Sequence, residues 1–190
     1  MIYFGNDGGL YKTSDSGQTI QALNDSLVLE QFYTVSGSAT DPSLFFGGLQ
    51  DNGIQRKLAN SATWNWMRSG DGGAIVINPL DPSIVFAVDD YQDTAGAVYR
   101  YNNRGQTFAA QIAAATTFGE PTSGGRIAFI PAFTGNHKDS TLYYGTWRLF
   151  TSKDLGATWL LPCDVATRRL LPTPVTRVET VASRWVTPKS

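Results

Sequence analysis

The stretch Thr151-Ser152-Lys153-Asp154-Leu155-Gly156-Ala157-Thr158-Trp159 decides how this chain is read. Short polar side chains stand at fixed offsets around one glycine, which is the way a tight β-hairpin turn is written. An aspartate in a turn accepts backbone N–H bonds two residues on, and a glycine supplies the positive φ that the turn needs. The hydroxyls on either side offer further capping, and Trp159 then anchors the turn to the sheet it opens onto. The same pattern stands at Thr13, Asp15, Gly17, Thr19 and Ile20. A weaker copy stands at Tyr101, Asn103, Gly105, Thr107 and Phe108, with asparagine in place of the carboxylate.

Spacing turns these turns into an architecture. Asp15 and Asn103 are 88 residues apart, twice 44, and Asn103 and Asp154 are 51 apart. A step of 44 from Ile20 lands on Trp64 and a second on Phe108, so Ile20, Trp64, Phe108 and Trp159 are the expected anchors. In the copy that ends at Trp64, Ala59 and Ser61 replace the Asp and Gly. The strand before each turn keeps the period, since Tyr11, Gln55 and Tyr99 are 44 apart and Phe150 follows after 51. A repeat of about 40–50 residues with four short strands per unit is the mark of a propeller blade.

These residues carry a resemblance. The turns match the pattern S/T-x-D-x-G-x-T-W/F of the Asp-box, or bacterial neuraminidase repeat. Around them, Gly-Asn-Asp-Gly-Gly-Leu-Tyr (5–11), Gly-Gly-Leu-Gln-Asp-Asn-Gly (47–53), Ser-Gly-Asp-Gly-Gly (69–73) and Leu-Tyr-Tyr-Gly-Thr-Trp-Arg-Leu-Phe (142–150) are similar to phrases of bacterial Asp-box propellers. That superfamily includes sialidases, xyloglucanases and sortilin-like receptors. The resemblance covers about residues 1–160 and implies an all-β propeller of four-stranded antiparallel blades. It implies no single activity, because the Asp-box is a folding element shared across activities.

The chain in order gives the blades. Residues 32–68, 74–115 and 126–162 each read as one blade within a single propeller domain or fragment, 1–190. Inner strands are expected at Phe32–Ser38, Ala74–Asn78 and Arg126–Ala132, and outer ones at Ile20–Asn24, Trp64–Arg68, Phe108–Ala115 and Trp159–Pro162. The Ala run after Phe108 suits a helix by composition, but the register makes it strand. Asp41-Pro42 and Asp81-Pro82 open turns, and Thr116–Gly125 is a loop. Residues 175–183 alternate like an inner strand and pair with 1–24 as a composite blade if four blades close a ring. The alternatives are part of a seven- or eight-bladed ring, which is preferred, or two chains that pair. An open fragment exposes a sheet edge, so missing blades or self-association are the expected partners.

Bulk properties remove several functions. The net charge of −1 gives no nucleic-acid footprint. No apolar run reaches about 18 residues, so no membrane insertion is expected. Cys163 is the one cysteine and permits no intrachain disulfide. Met1-Ile2-Tyr3-Phe4 enters a strand with no leader pattern; the resemblance nonetheless implies an extracellular or periplasmic protein, and thus a piece of a longer precursor. Asn24-Asp25-Ser26 reads as a turn rather than a glycosylated sequon. His137 is the one histidine, which rules out His-based triads and multi-His metal sites. No cofactor and no metal are expected, and Asp89-Asp90 reads as a solvated acidic turn.

In a propeller the second-to-third-strand turns and the loops entering each inner strand share one face. On that face stand Asp7, Gln50, Asp51, Asn52, Asp71, Asp89, Asp90, Asp93, Glu120, Trp147 and Arg148. Of these, Asp7, Gln50, Asp51, Asn52, Asp71, Trp147 and Arg148 are the candidate ligand-binding set, because aromatic rings stack on pyranoses and acids bind hydroxyls. The turn residues Asp15, Gly17, Asn103, Gly105, Asp154, Gly156 and Trp159 lie at the other end as scaffold. Asp51 and Asp71, both in Gly-flanked loops, are the pair to test for glycoside hydrolysis, which needs two carboxyls about 5–5.5 Å apart for retention or about 6.5–9.5 Å for inversion. Arg56, Arg68, Arg100, Arg126 and Arg148 form no evident three-arginine site, and Arg126-Ile127-Ala128 only approximates the Arg-Ile-Pro phrase of sialidases. The expected function is a non-catalytic binding or scaffolding module that grips a polysaccharide or a protein partner; the alternative is a glycoside hydrolase.

Overall fold

The computed structural model describes residues 1–6, 8–25, 30–90, 96–119 and 128–161. Asp7, Asp93, Glu120, Arg126, Cys163 and the expected strand at 175–183 lie outside them. The chain divides into two units, Met1–Gln31 and Phe32–Ser190.

The first unit is a three-stranded antiparallel meander of β1 (Ile2–Asn6), β2 (Gly9–Thr13) and β3 (Gln21–Ala22). Pairing runs from Ile2 opposite Thr13 to Asn6 opposite Gly9, and Phe4 stacks on Tyr11 with ring centroids 5.6 Å apart. Gly9 has φ of 121°, and a Cβ there would meet the Asn24 amide at 2.2 Å. That amide accepts from Leu10 N at 2.8 Å and donates to the Gly8 carbonyl at 3.0 Å. Asn24 is therefore a hairpin clamp, not a bare turn residue. The outer strand is shorter than Ile20–Asn24, and Ile20 is 62% exposed. Its turn is closed by Asp15, so no apolar anchor is required.

The described residues of the second unit form three sheets. The first contains β4 (Phe32–Gly37), β5 (Leu44–Leu49), β6 (Gly53–Leu58) and β7 (Asn65–Arg68). The next contains β8 (Asp71–Ile77), β9 (Val85–Asp90), β10 (Ala97–Asn102) and β11 (Thr107–Ala113). The last contains β12 (Ala132–Gly135), β13 (Leu142–Gly145) and β14 (Leu149–Ser152). All are antiparallel meanders, and β8, the first strand of its sheet, packs between β4 and β12, the first strands of theirs. These are blades of a β-propeller. Gln55, Tyr99 and Phe150 fall on the third strands of their sheets, as the spacing predicts, while Tyr11 falls on the second strand of its meander.

Strand alternation builds the core. One face of the middle sheet sends Ile75, Val85, Ala87, Tyr99 and Tyr101 against Leu44, Phe46 and Ile54 of the first. Its other face sends Phe86, Val88 and Val98 against Phe133, Leu142, Tyr144 and Phe150 of the last. Near-continuous runs such as Val85-Phe86-Ala87-Val88 follow, because this sheet is covered on both sides. Each large side chain buried so contributes about 1.5–3 kcal/mol.

Three boundaries depart from expectation. The described inner strand of the last blade is Ala132–Gly135, not Arg126–Ala132: Pro131 has no N–H to offer a ladder, so pairing starts just after it. Trp159–Pro162 is not a full outer strand; Leu160 makes one bridge to Thr151, with two N–H···O bonds of 2.8 Å. Within the expected loop 116–125, a short 3-10 helix spans Ala115–Phe118, and its Phe118 stacks on Phe150 at 4.0 Å. Of the expected outer strand Phe108–Ala115, Phe108–Ala113 is strand as read, but Ala114 caps and Ala115 opens the 3-10 helix.

Candidate functional site

The scaffold turns come first, because they separate structure from function. Ser152 Oγ and Thr158 N each donate to Asp154 Oδ1 at 2.8 Å, Thr158 Oγ1 donates to Oδ2 at 2.5 Å, and Gly156 N donates to Ser152 Oγ at 2.9 Å. Asp15 is held in the same way by Thr13 and Thr19. The Thr158 hydroxyl and amide, with Ser152, pull Asp154 down to about 2. The Thr19 hydroxyl and amide, with Thr13, do the same to Asp15. Trp159 Nε1 donates to the Ile112 carbonyl at 2.9 Å, which fastens this turn to the neighbouring sheet.

The copy at Asn103 keeps the backbone turn, Gln106 N to Asn103 O at 3.2 Å, but runs left-handed at Asn103, Arg104 and Gly105. Arg104 does the tying instead. Its guanidinium pairs with Asp41 at 2.5 Å and donates to Ser43 Oγ at 2.9 Å in the preceding sheet. Phe108 is 54% exposed and is not the buried anchor expected of it. Trp64 packs on Phe32 at 5.4 Å, and Ser61, where glycine was replaced, caps Thr63.

At the other end of the strands lies the β5–β6 turn, Gln50-Asp51-Asn52. Asp51 takes a left-handed φ of 59°, which aims its amide outward from the turn. That amide donates to Asp71 Oδ1 at 3.0 Å, and Asn52 bridges Gly70. Asp71 is not in a loop, as expected, but is the first residue of β8, opposite Asp90. The two blades are thus stitched where the second-to-third-strand turn of one meets the inner strand of the next.

Sequence reasoning missed Tyr33 and the partner of Arg68 here. Tyr33 is 42% exposed and stands close enough to Asp71 and Asp51 for both charges to reach its phenol. Partial burial, then the Asp71 and Asp51 charges, raise its phenol above its ordinary value. The signal was its place at the start of β4, which precedes the turn in sequence but neighbours it in the sheet. Arg68 ends β7 and ion-pairs with Asp89, which is fully buried. Its guanidinium also lies 3.6 Å from the centre of the Tyr99 ring. Burial opposes the Arg68 charge, but Asp89 and the Tyr99 ring raise its pKa all the same. Asp89 is therefore a structural counter-ion, not the solvated turn residue that was expected.

Trp147 and Arg148 occupy the β13–β14 turn, with the Arg148 guanidinium 5.0 Å from the Trp147 ring. Arg148 also donates to the Phe118 carbonyl at 3.2 Å. They form a second cluster, distinct from Asp51, Asp71 and Tyr33. Among the described residues, no three His, Cys, Asp or Glu side chains gather to hold a metal ion.

No protein-family model and no curated protein matches the chain. Solved structures do. The GH74 xyloglucanase of Xanthomonas campestris superposes with a TM-score of 0.50 at 20% identity, over 69% of this chain and 20% of its own. The GH74 enzyme of Niastella koreensis gives 0.52 at 16%, over 80% and 26%, and an ancestral GH74 enzyme gives 0.52 at 16%, over 83% and 22%. The chain spans about a quarter or less of the length of these enzymes, and the likeness is one of fold.

Proposed function

We propose that this chain supplies blades of an Asp-box propeller and binds a polysaccharide, without cleaving it, at the face that carries Tyr33, Asp51 and Asp71. The observation behind this reading is Tyr33, an exposed ring beside the linked pair Asp51 and Asp71, whose charges reach its phenol. A ring of that kind offers an apolar face and a polar tip together. The adjacent carboxylates, with Gln50 and Asn52, supply acceptors and donors for sugar hydroxyls. Asp71 already accepts from the Asp51 amide, which suits a positioning acceptor better than an acid that must present a proton. Trp147 and Arg148, in the β13–β14 turn, are read as extending the same face, since that turn is also a second-to-third-strand turn.

Because the chain spans a quarter or less of its structural neighbours, the ring is read as completed by further blades, in an exported protein. A second reading, glycoside hydrolysis through Asp51 and Asp71, draws on those neighbours, of which one is described as a xyloglucanase. Calorimetry of the chain with xyloglucan and other β-glucan oligosaccharides, run beside a reducing-end assay, separates the two. Binding lost in Tyr33→Ala and Asp51→Ala, with no new reducing ends, is the expected result. Reducing ends released by the parent and not by Asp51→Ala would establish the hydrolase instead. Absence of glycan binding sinks both.

A further inference from the structure

A second recess lies between β7 and the β10–β11 turn, with a volume of about 420 Å³. Arg56, Asn65, Trp66, Tyr101, Gln106 and Phe108 line it. That volume falls within the roughly 300–1,000 Å³ of small-molecule sites. None of these residues belongs to the face described above.

Its walls are unusual for a solvent-facing surface. Trp66 is 63% exposed and Phe108 54%. Strand register sets both: Trp66 stands opposite Gln55 on β6, and Phe108 stands opposite Tyr101 on β10. Phe108 is braced from behind by Tyr101, edge-on at 6.0 Å, and by Tyr99 at 6.3 Å. One side of its ring is thereby fixed and the other left open. The polar groups are two neutral amides, the buried Tyr101 phenol and one cation. Among the described residues, no carboxylate lines the recess.

The cation is the unusual part. Arg56 Nη1 donates to the Arg104 carbonyl at 3.1 Å, and its Nε is buried with no hydrogen-bond partner. Arg56 has no carboxylate partner among the described residues; its neighbour Arg104 is the one that pairs with Asp41. Burial, then the Arg104 charge, pushes the Arg56 pKa down. A guanidinium in that position gains from an added anion, and a carboxylate matches its fork.

We propose that this recess is a carbohydrate site for a pyranose that bears a carboxylate, that is, a uronic acid unit of a polysaccharide. The ring's C–H face packs on Trp66 and Phe108, Asn65 and Gln106 bond its hydroxyls, and Arg56 takes its carboxylate. The site is independent of the Tyr33 face.

Calorimetry with trigalacturonate and triglucuronate, beside neutral galactose and glucose trisaccharides, tests the assignment on the full chain. One acidic trisaccharide should bind and its neutral counterpart should bind at least about tenfold more weakly. Trp66→Ala and Phe108→Ala, each checked for an unchanged thermal midpoint, should weaken acidic-ligand binding by about tenfold or more. Arg56→Gln should erase the preference for the acid; if it fails to fold, Arg56→Lys should reduce that preference. Tyr33→Ala should leave this binding intact, so failure here and failure of the first site read separately. Equal affinity for neutral and acidic sugars, binding that survives Trp66→Ala and Phe108→Ala, or no binding by either acid overturns the proposal.

Discussion

The Thr158 hydroxyl donates to Asp154 Oδ2 at 2.5 Å while the Thr158 amide donates to Oδ1 at 2.8 Å, so one residue grips both oxygens of one carboxylate. Such a grip needs the ionised form. The Asp154 pKa falls from 3.8 to about 2 on folding, with Thr158 as the leading cause. A depressed carboxylate stabilises the fold above its unfolded value and loses that contribution as pH falls through its folded one. Thermal unfolding should therefore show a midpoint that drops between about pH 4 and pH 2. In Asp154→Asn the drop over that window should be smaller, with Asp15, lowered as far, and Asp41, Asp81 and Asp139, also lowered, supplying what remains. An identical slope for parent and variant would show that the grip carries no linkage.

Much of this was legible before any coordinate. The period of 44 put Gln55 and Tyr99 on equivalent strands because each blade must spend the same chain length on four short strands and three turns. The anchors were only half legible. Trp159 packs on Phe118 and Tyr144, but Ile20 and Phe108 are exposed, since a turn closed by its own side chains or by Arg104 needs no apolar plug. Tyr33 escaped notice, and Arg68 was considered without its partner, because Asp71 and Asp89 come from the next blade. Contacts between blades leave no mark in a local pattern.

The Arg68–Asp89 pair yields the second prediction. Asp89 is fully buried, and the Arg68 side chain is 27% exposed. Removal of one partner strands a charge inside the protein, which typically costs about 3–5 kcal/mol. Arg68→Met should thus lower stability by about 3 kcal/mol in urea unfolding, at the low end because water reaches the guanidinium. The double variant Arg68→Met with Asp89→Leu should be less damaged than Arg68→Met alone. A double variant worse than the single one would mean that the pair does more than neutralise itself.

Asn24 yields the third. Its amide accepts from Leu10 and donates to Gly8, which holds the β1–β2 hairpin from 14 residues away. Asn24→Ala should cost about 1–2 kcal/mol, one net hydrogen bond for each group lost. Hydrogen exchange at the Leu10 amide reports it directly. Protection at Leu10 should fall in Asn24→Ala and persist in Asp25→Ala.

The last prediction concerns how closely the blades approach. A Cβ on Gly48 would sit 2.2 Å from the Gly73 carbonyl oxygen and 2.4 Å from that of Gly72. A Cβ on Gly72 would in turn sit 2.1 Å from the Gly53 carbonyl oxygen. These obstacles are backbone atoms of strands already fixed by their ladders, so no side chain can swing aside. Gly48→Ala must push β5 off β8, and with them the Asp51–Asp71 contact two to three residues further on. The cost of such overpacking is about 1–3 kcal/mol or more. Gly5→Ala is the matched control, because its Cβ would meet only the Gly9 carbonyl oxygen at 3.8 Å, an ordinary contact. Urea unfolding should find Gly5→Ala within about 0.5 kcal/mol of the parent. Gly48→Ala should be strongly destabilised and should also lose protection at the Asp51 amide. Equal stability of the two variants would mean that β5 and β8 do not meet backbone to backbone, and the stitching of Asp51 to Asp71 would then lose its support.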